Sequence, residues 1–491
     1  MPKISSYPNN PDPDDEFEFV GTDPENQTQS SSGTTETVTL AEILSQVPTP
    51  ITTEGDLIVG GAGGTPQRLA AGTTGYTLTS NGPGAVPSWQ AGAGSASVWK
   101  DLVETYGADP TGTTSCSTAL ASACSAAVSA QPAAFGLTVP PGTFLLSASQ
   151  DLPYNMILQG AGANGGTVSG QRTGSWFNVA SGFTGTYVFG LKDVPAPSSY
   201  TGVNGCLMSG IGIYGGIQTG SAVNGLYIVG PTLTELRYIS ISQMTGWAVA
   251  SGTDPSANEQ FDFGQNWFRV QADSCGTVSG GGFQLSGCED STFVNCYSIG
   301  NNNGPGFYVT GCDNTKFVGC NSEWNSTYGW YFTGDWQWFT GGCIMSGCST
   351  DANTIAGVMI DATWTTGGGA GTGPGIIQIG DCHFRRDGQG NGTITAGIYL
   401  GATTLPVIIN GFSTMPSIGD SGGSTYVPAY GIYFAETSYA QPILISNGLC
   451  WGESACYRTT TSNSTLPTFT TGATANLLKA HGPNSAPTYG S

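Results

Sequence analysis

The chain alternates on a two-residue beat. From about residue 200 to 456, short runs with apolar residues at every second position recur, each broken by a polar or glycine-rich turn. That period argues for strands with one buried face rather than for helices. The runs open on glycine: GLYIVG at Gly225, GFQLSGC at Gly282, GFYVTGC at Gly306, GWYFTGD at Gly329, GVMIDAT at Gly357, GIYLGAT at Gly397 and GIYFAET at Gly431. From Gly282 onward, successive starts lie 24, 23, 28, 40 and 34 residues apart. A second run follows in STFVNCYS (Ser291–Ser298), TKFVGCNS (Thr315–Ser322), Pro374–Cys382, Pro406–Ser413 and Pro442–Gly448.

A recurrence near 24 residues suits a coil of three short strands and three turns, stacked on the next coil at about 4.8 Å. Stacked coils bury a continuous core that no single coil could bury. Residues 24 apart then become vertical neighbours, and the residues at that offset match: Phe283 with Phe307, Cys288 with Cys312, Phe293 with Phe317, Val294 with Val318 and Cys296 with Cys320. The expected fold class is therefore all-β, a single-stranded parallel β-helix over residues 163–456. A propeller or sandwich with glycine-rich turns is the alternative. The longer spacings predict insertions on one face, such as Trp364–Gly375, and such insertions often shape binding surfaces.

Other segments keep a different rhythm. Residues 1–36 are proline-rich, acidic, then rich in Ser and Thr, and read as extended and weakly structured. Leu40, Ile43, Leu44 and Val47 stand at helical spacing, so Thr37–Val47 is expected to be a short amphipathic helix with Thr39 as its cap. Gly55–Gly61 and Gly75–Gln90 read as two short strands with glycine turns, and Ala91–Ser97 as a small-residue linker. Ser117–Val128 is helical in pattern, while Leu137–Ser147 and Met156–Gly162 are strand-like. Residues 457–491 are Thr/Ser/Pro-rich, an extended tail or small cap.

Composition narrows the function. Only 9% of the 491 residues are charged, and 33 acidic against 12 basic residues give a net charge of −21. Phosphate contacts need clustered Lys and Arg, so nucleic acid is not an expected partner. An enzyme acting on a polyanion is disfavoured too, leaving neutral or cationic glycans open. Glycine is abundant, at 76 residues, and with few Lys, Glu and Arg this disfavours a helical protein. No stretch of about 20 apolar residues offers a membrane span. The polar N-terminus does not read as a secretory signal, so folding in a reducing cytoplasm is expected. The 13 cysteines are accordingly read as small buried apolar residues.

Two segments bring resemblance. Lys3-Ile4-Ser5 followed by an acidic stretch and Val38–Ile43 is similar to the opening of many phage tail-fibre proteins, and Gly55–Trp89 resembles a segment common in phage tail proteins. Tyr106-Gly107-Ala108 with Gly112, a capping helix, Pro140–Phe144 and Leu158–Gly162 resemble the opening motif of pectate-lyase-like β-helix proteins. That family often carries paired Asp after the glycine, where this chain has Thr114-Ser115-Cys116. The resemblance implies a right-handed, pectate-lyase-like helix in a phage tail spike or tail fibre. It also implies a homotrimer in the virion tail, assembled in the bacterial host cytoplasm. Residues 1–90 would dock on tail or baseplate proteins. On this reading residues 1–50 attach to the virion, 51–97 form a small β region with linker, and 98–162 open and cap the helix.

Candidate chemistry lies in the coils between 282 and 340. Glu289 and Asp313 stand 24 apart, which places them on adjacent rungs. Paired carboxylates at such spacing suit glycoside hydrolysis, a retaining mechanism at about 5 Å and an inverting one when wider. Asp335, one coil further, aligns with Cys312 rather than Asp313. The same residues also suit turns, where Asp is favoured. Trp324, Tyr328, Trp330, Trp336 and Trp338 gather nearby, with Glu323 beside them. Exposed indole faces stack on the apolar faces of sugar rings, whereas buried ones pack a core or an interface. One of Trp330 and Tyr331 is expected inside. Gly160–Gly165 matches GxGxxG in form, but no helix follows it. Only His383 and His481 exist, so a histidine-based triad is nearly excluded. Asp381, His383 and Asp387 beside Arg385 and Arg386 read as a solvated turn rather than a metal site. No metal or cofactor is expected. A lyase ranks below a hydrolase because Arg237, Lys316, Arg385, Arg386 and Arg458 are scattered. The expected role is a receptor-binding adhesin for host cell-surface polysaccharide. A depolymerase and a decoration fibre without a receptor are the alternatives.

Overall fold

In the computed structural model the chain divides into two compact units, Met1–Ser97 and Val98–Ser491. The structure describes residues 18–23, 34–39, 52–74, 76–91, 99–131, 133–168, 171–192, 206–216, 220–229, 233–251, 262–336, 341–364, 374–388, 394–415, 428–436, 438–450, 455–459 and 468–469.

The first unit is built of hairpins. Glu18–Asp23 pairs antiparallel with Thr34–Thr39, so Thr37–Thr39 lies in a strand and not at a helix start. The rest of the expected helix falls outside the described residues. Leu57–Gly60 pairs with Pro66–Leu69, and Tyr76–Thr79 with Ser88–Ala91. The expected strand Gly55–Gly61 is one arm of a hairpin, and Gly75–Gln90 spans both arms of another, because an isolated strand leaves its backbone groups unpaired.

In the second unit a helix, Ser117–Ala130, buries Leu120, Ala123, Cys124 and Ala127 against the core. Above it the chain winds into a parallel β-helix whose strands belong to one 32-stranded sheet folded at three corners. The first sheet holds the glycine-led strands, among them Phe283–Glu289, Phe307–Asp313, Tyr328–Phe332, Ala356–Ile360, Ala396–Leu400 and Tyr430–Phe434. The second holds Thr292–Val294, Thr315–Val318, Cys343–Ser346, Ile377–Gly380 and Val407–Asn410. The third holds Tyr297–Ile299, Asn321–Glu323, Ser349–Asp351, His383–Arg385 and Ser413–Met415. Each strand pairs in parallel with its counterpart one coil on.

The 24-residue register holds. Phe283 partners Phe307 with ring centroids 4.8 Å apart, and Phe293 stacks on Phe317 at 4.9 Å. Val294 partners Val318, and Cys288 partners Cys312. Inside, like sits on like. The thiols of Cys320, Cys348 and Cys382 contact one another in sequence, starting from Cys296. Eleven cysteines are free and buried, and burial pushes the Cys275 thiol up to about 12, which leaves it unreactive. Cys450 departs from the reading of cysteines as mere apolar residues, being disulfide-bonded.

A polar ladder runs beside the apolar one. Asn301 donates to Asn325 (2.6 Å), Asn325 to Asn353 (2.8 Å) and Asn353 to Asp387 (2.8 Å), all fully buried. Each side-chain oxygen also accepts a backbone N–H, so the turn amides are satisfied. Asp387 and Arg386 are therefore buried, which corrects the expected solvated turn. Asp381, His383 and Arg385 do face solvent.

The corners carry left-handed residues, one per coil. Between second and third sheets these are Tyr238, Arg269, Asn295, Gly319, Gly347, Asp381, Gly411 and Asn447. Between third and first they are Gln243, Ser274, Gly300, Trp324, Ala352 and Arg386. Glycine and asparagine tolerate this conformation, whereas bulky side chains there are outliers.

Candidate functional site

The expected site residues divide between two edges of the first sheet. Glu289 and Asp313 are register partners at the far ends of their strands, one rung apart. Burial, then Asp313 and Asp290 beside it, pushes the Glu289 carboxyl up to about 7. Asp290 is the corner residue that follows, and Asn314 donates to it at 2.6 Å. Asp335 is exposed and bridges to Thr363, one coil further on.

Trp324, Glu323 and Tyr328 lie at the opposite edge, where the third sheet turns into the first. A seven-residue strand spans roughly 20 Å, so carboxylates and indole do not share one groove. Trp330 and Trp336 are corrections. Both are 0% exposed. Trp330 stacks on Phe307 at 4.6 Å inside the coil, and Trp336 donates its indole N–H to the Thr333 carbonyl. The two-residue beat turns Trp330 inward and Tyr331 outward. Trp338 lies outside the described residues.

What surrounds Trp324 is a built surface. The indole is 48% exposed and occupies a left-handed corner. The Arg386 guanidinium lies 5.3 Å from its ring centroid, a cation–π contact. Arg386 is itself held by Asp351, which also takes Arg385 at 2.5 Å. Asp351 sits one rung beyond Glu323. Tyr297 Oη donates to Glu323 Oε2 at 2.7 Å from the coil before. Burial, then Glu323, holds that phenol above its usual range. Tyr297 in turn lines an open depression of about 470 Å³ with Arg269, Gln271, Asn295 and Asn321.

The sequence reading passed over Tyr297, Asp351 and Arg269. The signal for them was present. Tyr297 sits 24 residues before Asn321, and Arg269 follows a second-sheet strand at a corner where most later coils place Gly or Asn. A second outward row was also missed. Tyr308, Tyr331, Met359, Tyr399 and Tyr433 are successive register partners up the first sheet. Among the described residues no three His, Cys, Asp or Glu gather in a way that could hold a metal ion. No helix among them is long and apolar enough to cross a membrane.

Residues 102–195 match the family described as rhamnogalacturonase A/epimerase, pectate lyase-like. No curated protein sequence matches the chain. Several solved structures resemble it. Tailspike protein 2 of Escherichia coli O157:H7 bacteriophage CAB120 is 14% identical at a TM-score of 0.45, over 82% of this chain and 50% of that one. The A-module of a mannuronan C-5 epimerase (AlgE4) from Azotobacter vinelandii is 14% identical at 0.44, over 76% and 99%. PfbA, a surface adhesin of Streptococcus pneumoniae, is 13% identical at 0.40, over 72% and 90%. A spike, an epimerase and an adhesin share this coil, so the likeness carries no functional argument.

Proposed function

We propose that the chain is a bacteriophage tail spike or tail fibre that docks on the virion through residues 1–90 and binds host-surface glycan on the third sheet of its β-helix. The supporting observation is the exposed Trp324 indole, backed by Arg386 and flanked by Glu323 and Asp351. An aromatic face with a few fixed polar groups is what a sugar ring needs: one apolar side to stack on and hydroxyls to orient. The tail-like segments before residue 90 support the virion role, and three copies would assemble side by side. Equilibrium sedimentation of the full chain tests the trimer. Trp324→Ala tests the adhesin: it abolishes binding to host polysaccharide while leaving the β-sheet circular dichroism intact. Undiminished binding by that variant would sink the proposal, and normal adsorption by virions lacking the chain would favour a decoration fibre.

A hydrolytic second reading draws on Glu289 and Asp313. A carboxyl raised to about 7 is about half protonated at neutral pH and suits a general acid, with a second carboxyl group one rung away. On this reading the chain releases new reducing ends from host polysaccharide, and Glu289→Gln stops the release. Absence of release from the intact chain leaves adhesion alone.

A further inference from the structure

Two shallow depressions flank the corner between the second and third sheets. One, of about 420 Å³, is lined by Glu235, Arg237, Tyr238, Asn266 and Phe268 among others. The second is the depression of about 470 Å³ already described, and Arg269 stands on the corner between them. Tyr238 and Arg269 occupy successive rungs of that corner with positive φ, at 55° and 53°. The coils above place Asn295, Gly319, Gly347, Asp381, Gly411 and Asn447 there. Those residues accept the left-handed conformation cheaply, whereas Tyr and Arg are strained in it. Strain retained on two successive rungs of this corner is a pointer to use.

The chemistry at that place is specific. Tyr238 is 48% exposed, and its ring meets Phe268 edge-on at 5.4 Å. The Arg269 guanidinium lies 5.9 Å from the Tyr238 ring and 5.5 Å from the Phe268 ring. The rings hold it in place while its N–H groups stay exposed. Arg237 is paired with Glu235, but Arg269 has no carboxylate partner among the described residues. An exposed, ring-held guanidinium without a counter-ion among the described residues is unusual in a chain of net charge −21 with 12 basic residues.

We infer that this corner is a subsite for an acidic sugar, with Arg269 taking the carboxylate and Tyr238 and Phe268 forming the ring platform. The inference rests on the glycan-binding reading and names the class of glycan. A guanidinium matches a carboxylate in a two-pronged geometry that a hydroxyl cannot reproduce. The acidic surface as a whole repels a dense polyanion, so the fitting ligand carries carboxylates sparsely, separated by neutral sugars. Arg269 lies on the coil before Tyr297, whose hydroxyl holds Glu323 beside Trp324. One extended oligosaccharide crossing the third sheet would therefore meet Arg269 and then the Trp324 indole.

The test uses the full chain and two probes that carry carboxylates sparsely, hyaluronan octasaccharide and sialyl-lactose, each beside its carboxyl-reduced form. Calorimetry at low salt reads the dissociation constants. At least one acidic form is expected to bind about tenfold tighter than its reduced counterpart, the scale of one charge-assisted hydrogen bond. Added salt and Arg269→Gln should both erase that preference without weakening the reduced form. Tyr238→Ala should weaken both forms. Equal binding of acidic and reduced probes overturns the subsite. So does a preference that survives in Arg269→Gln. In either case, loss of binding in Trp324→Ala leaves the adhesin reading standing. Binding of no probe also overturns the subsite, while binding of host polysaccharide that Trp324→Ala removes keeps the adhesin reading standing.

Discussion

The outward rows of the first and third sheets stand on the same coils and differ in nearly everything except spacing. On the first, Tyr308, Tyr331, Met359, Tyr399 and Tyr433 follow one another without a charged side chain, and Met359 and Tyr433 are buried. The Tyr399 and Tyr433 ring centroids lie 4.9 Å apart, and the Tyr331 hydroxyl donates a hydrogen bond to Asp361 Oδ2 at 2.9 Å. On the third, Glu323, Asp351 and Arg385 follow one another, with Trp324 and Arg386 at the adjoining corner. Behind both rows lies the same interior of stacked Phe, Cys and Asn. The stack fixes where a side chain is presented, and the outward residue fixes what is presented. The proposed division, with stability inside and recognition outside, sets the two on positions that the register separates by a single residue.

The sharpest way to break this contrast is to change neighbours that point opposite ways. Phe307 contacts Phe283, Phe317 and Trp330 inside the coil. Phe307→Ala is expected to cost about 3–5 kcal/mol in denaturant unfolding. Tyr308→Ala, one residue on and half-buried, should cost about 1 kcal/mol. Equal costs would mean that the outward row is structural.

Acidity probes the interior next. Burial pushes the Asp387 carboxyl from 3.8 up to about 7, with hydrogen bonds from Thr350 and Asn353 opposing and Asp351 reinforcing. The folded chain then holds that proton more tightly than the unfolded chain does. The resulting stability is complete below pH ~4 and is lost as pH rises through 7, by at most about 4 kcal/mol. Asp387→Asn should flatten this slope in unfolding measured from pH 4 to 8.

Asn325 tests the ladder itself. It donates to Ser322 and Asn353 and accepts from the Asn301 amides. Asn325→Ala strands several buried partners and is expected to cost about 2–3 kcal/mol. A smaller loss would show that the turn re-forms its bonds. The mildest effect separates the two faces by binding. Trp324→Ala should weaken host-glycan affinity at least about tenfold, and Tyr331→Ala should leave it within about twofold. The reverse result would move recognition to the tyrosine row.

Much of this was legible in the residue order. A beat of two and a recurrence of 24 set strands, coils and the pairs Phe283/Phe307 and Val294/Val318, because burying one side of a strand forces alternation and stacking forces repetition. The same beat implied that one of Trp330 and Tyr331 points inward. Composition argued against nucleic acid as a partner, because phosphate contacts need clustered Lys and Arg.

Only the three-dimensional arrangement decided which of the polar and aromatic candidates meet. Glu289 and Trp324 are 35 positions apart in the chain, yet they lie on opposite edges of a sheet. Arg386 reaches Trp324, and Tyr297 reaches Glu323, across rungs rather than along the chain. Asp387 looked like a surface turn and became the buried end of the asparagine ladder. Periodicity tells each residue whether it faces in or out. It does not tell a corner residue which neighbour it meets, because that depends on the lengths of the turns and on backbone conformations that side-chain chemistry alone does not specify.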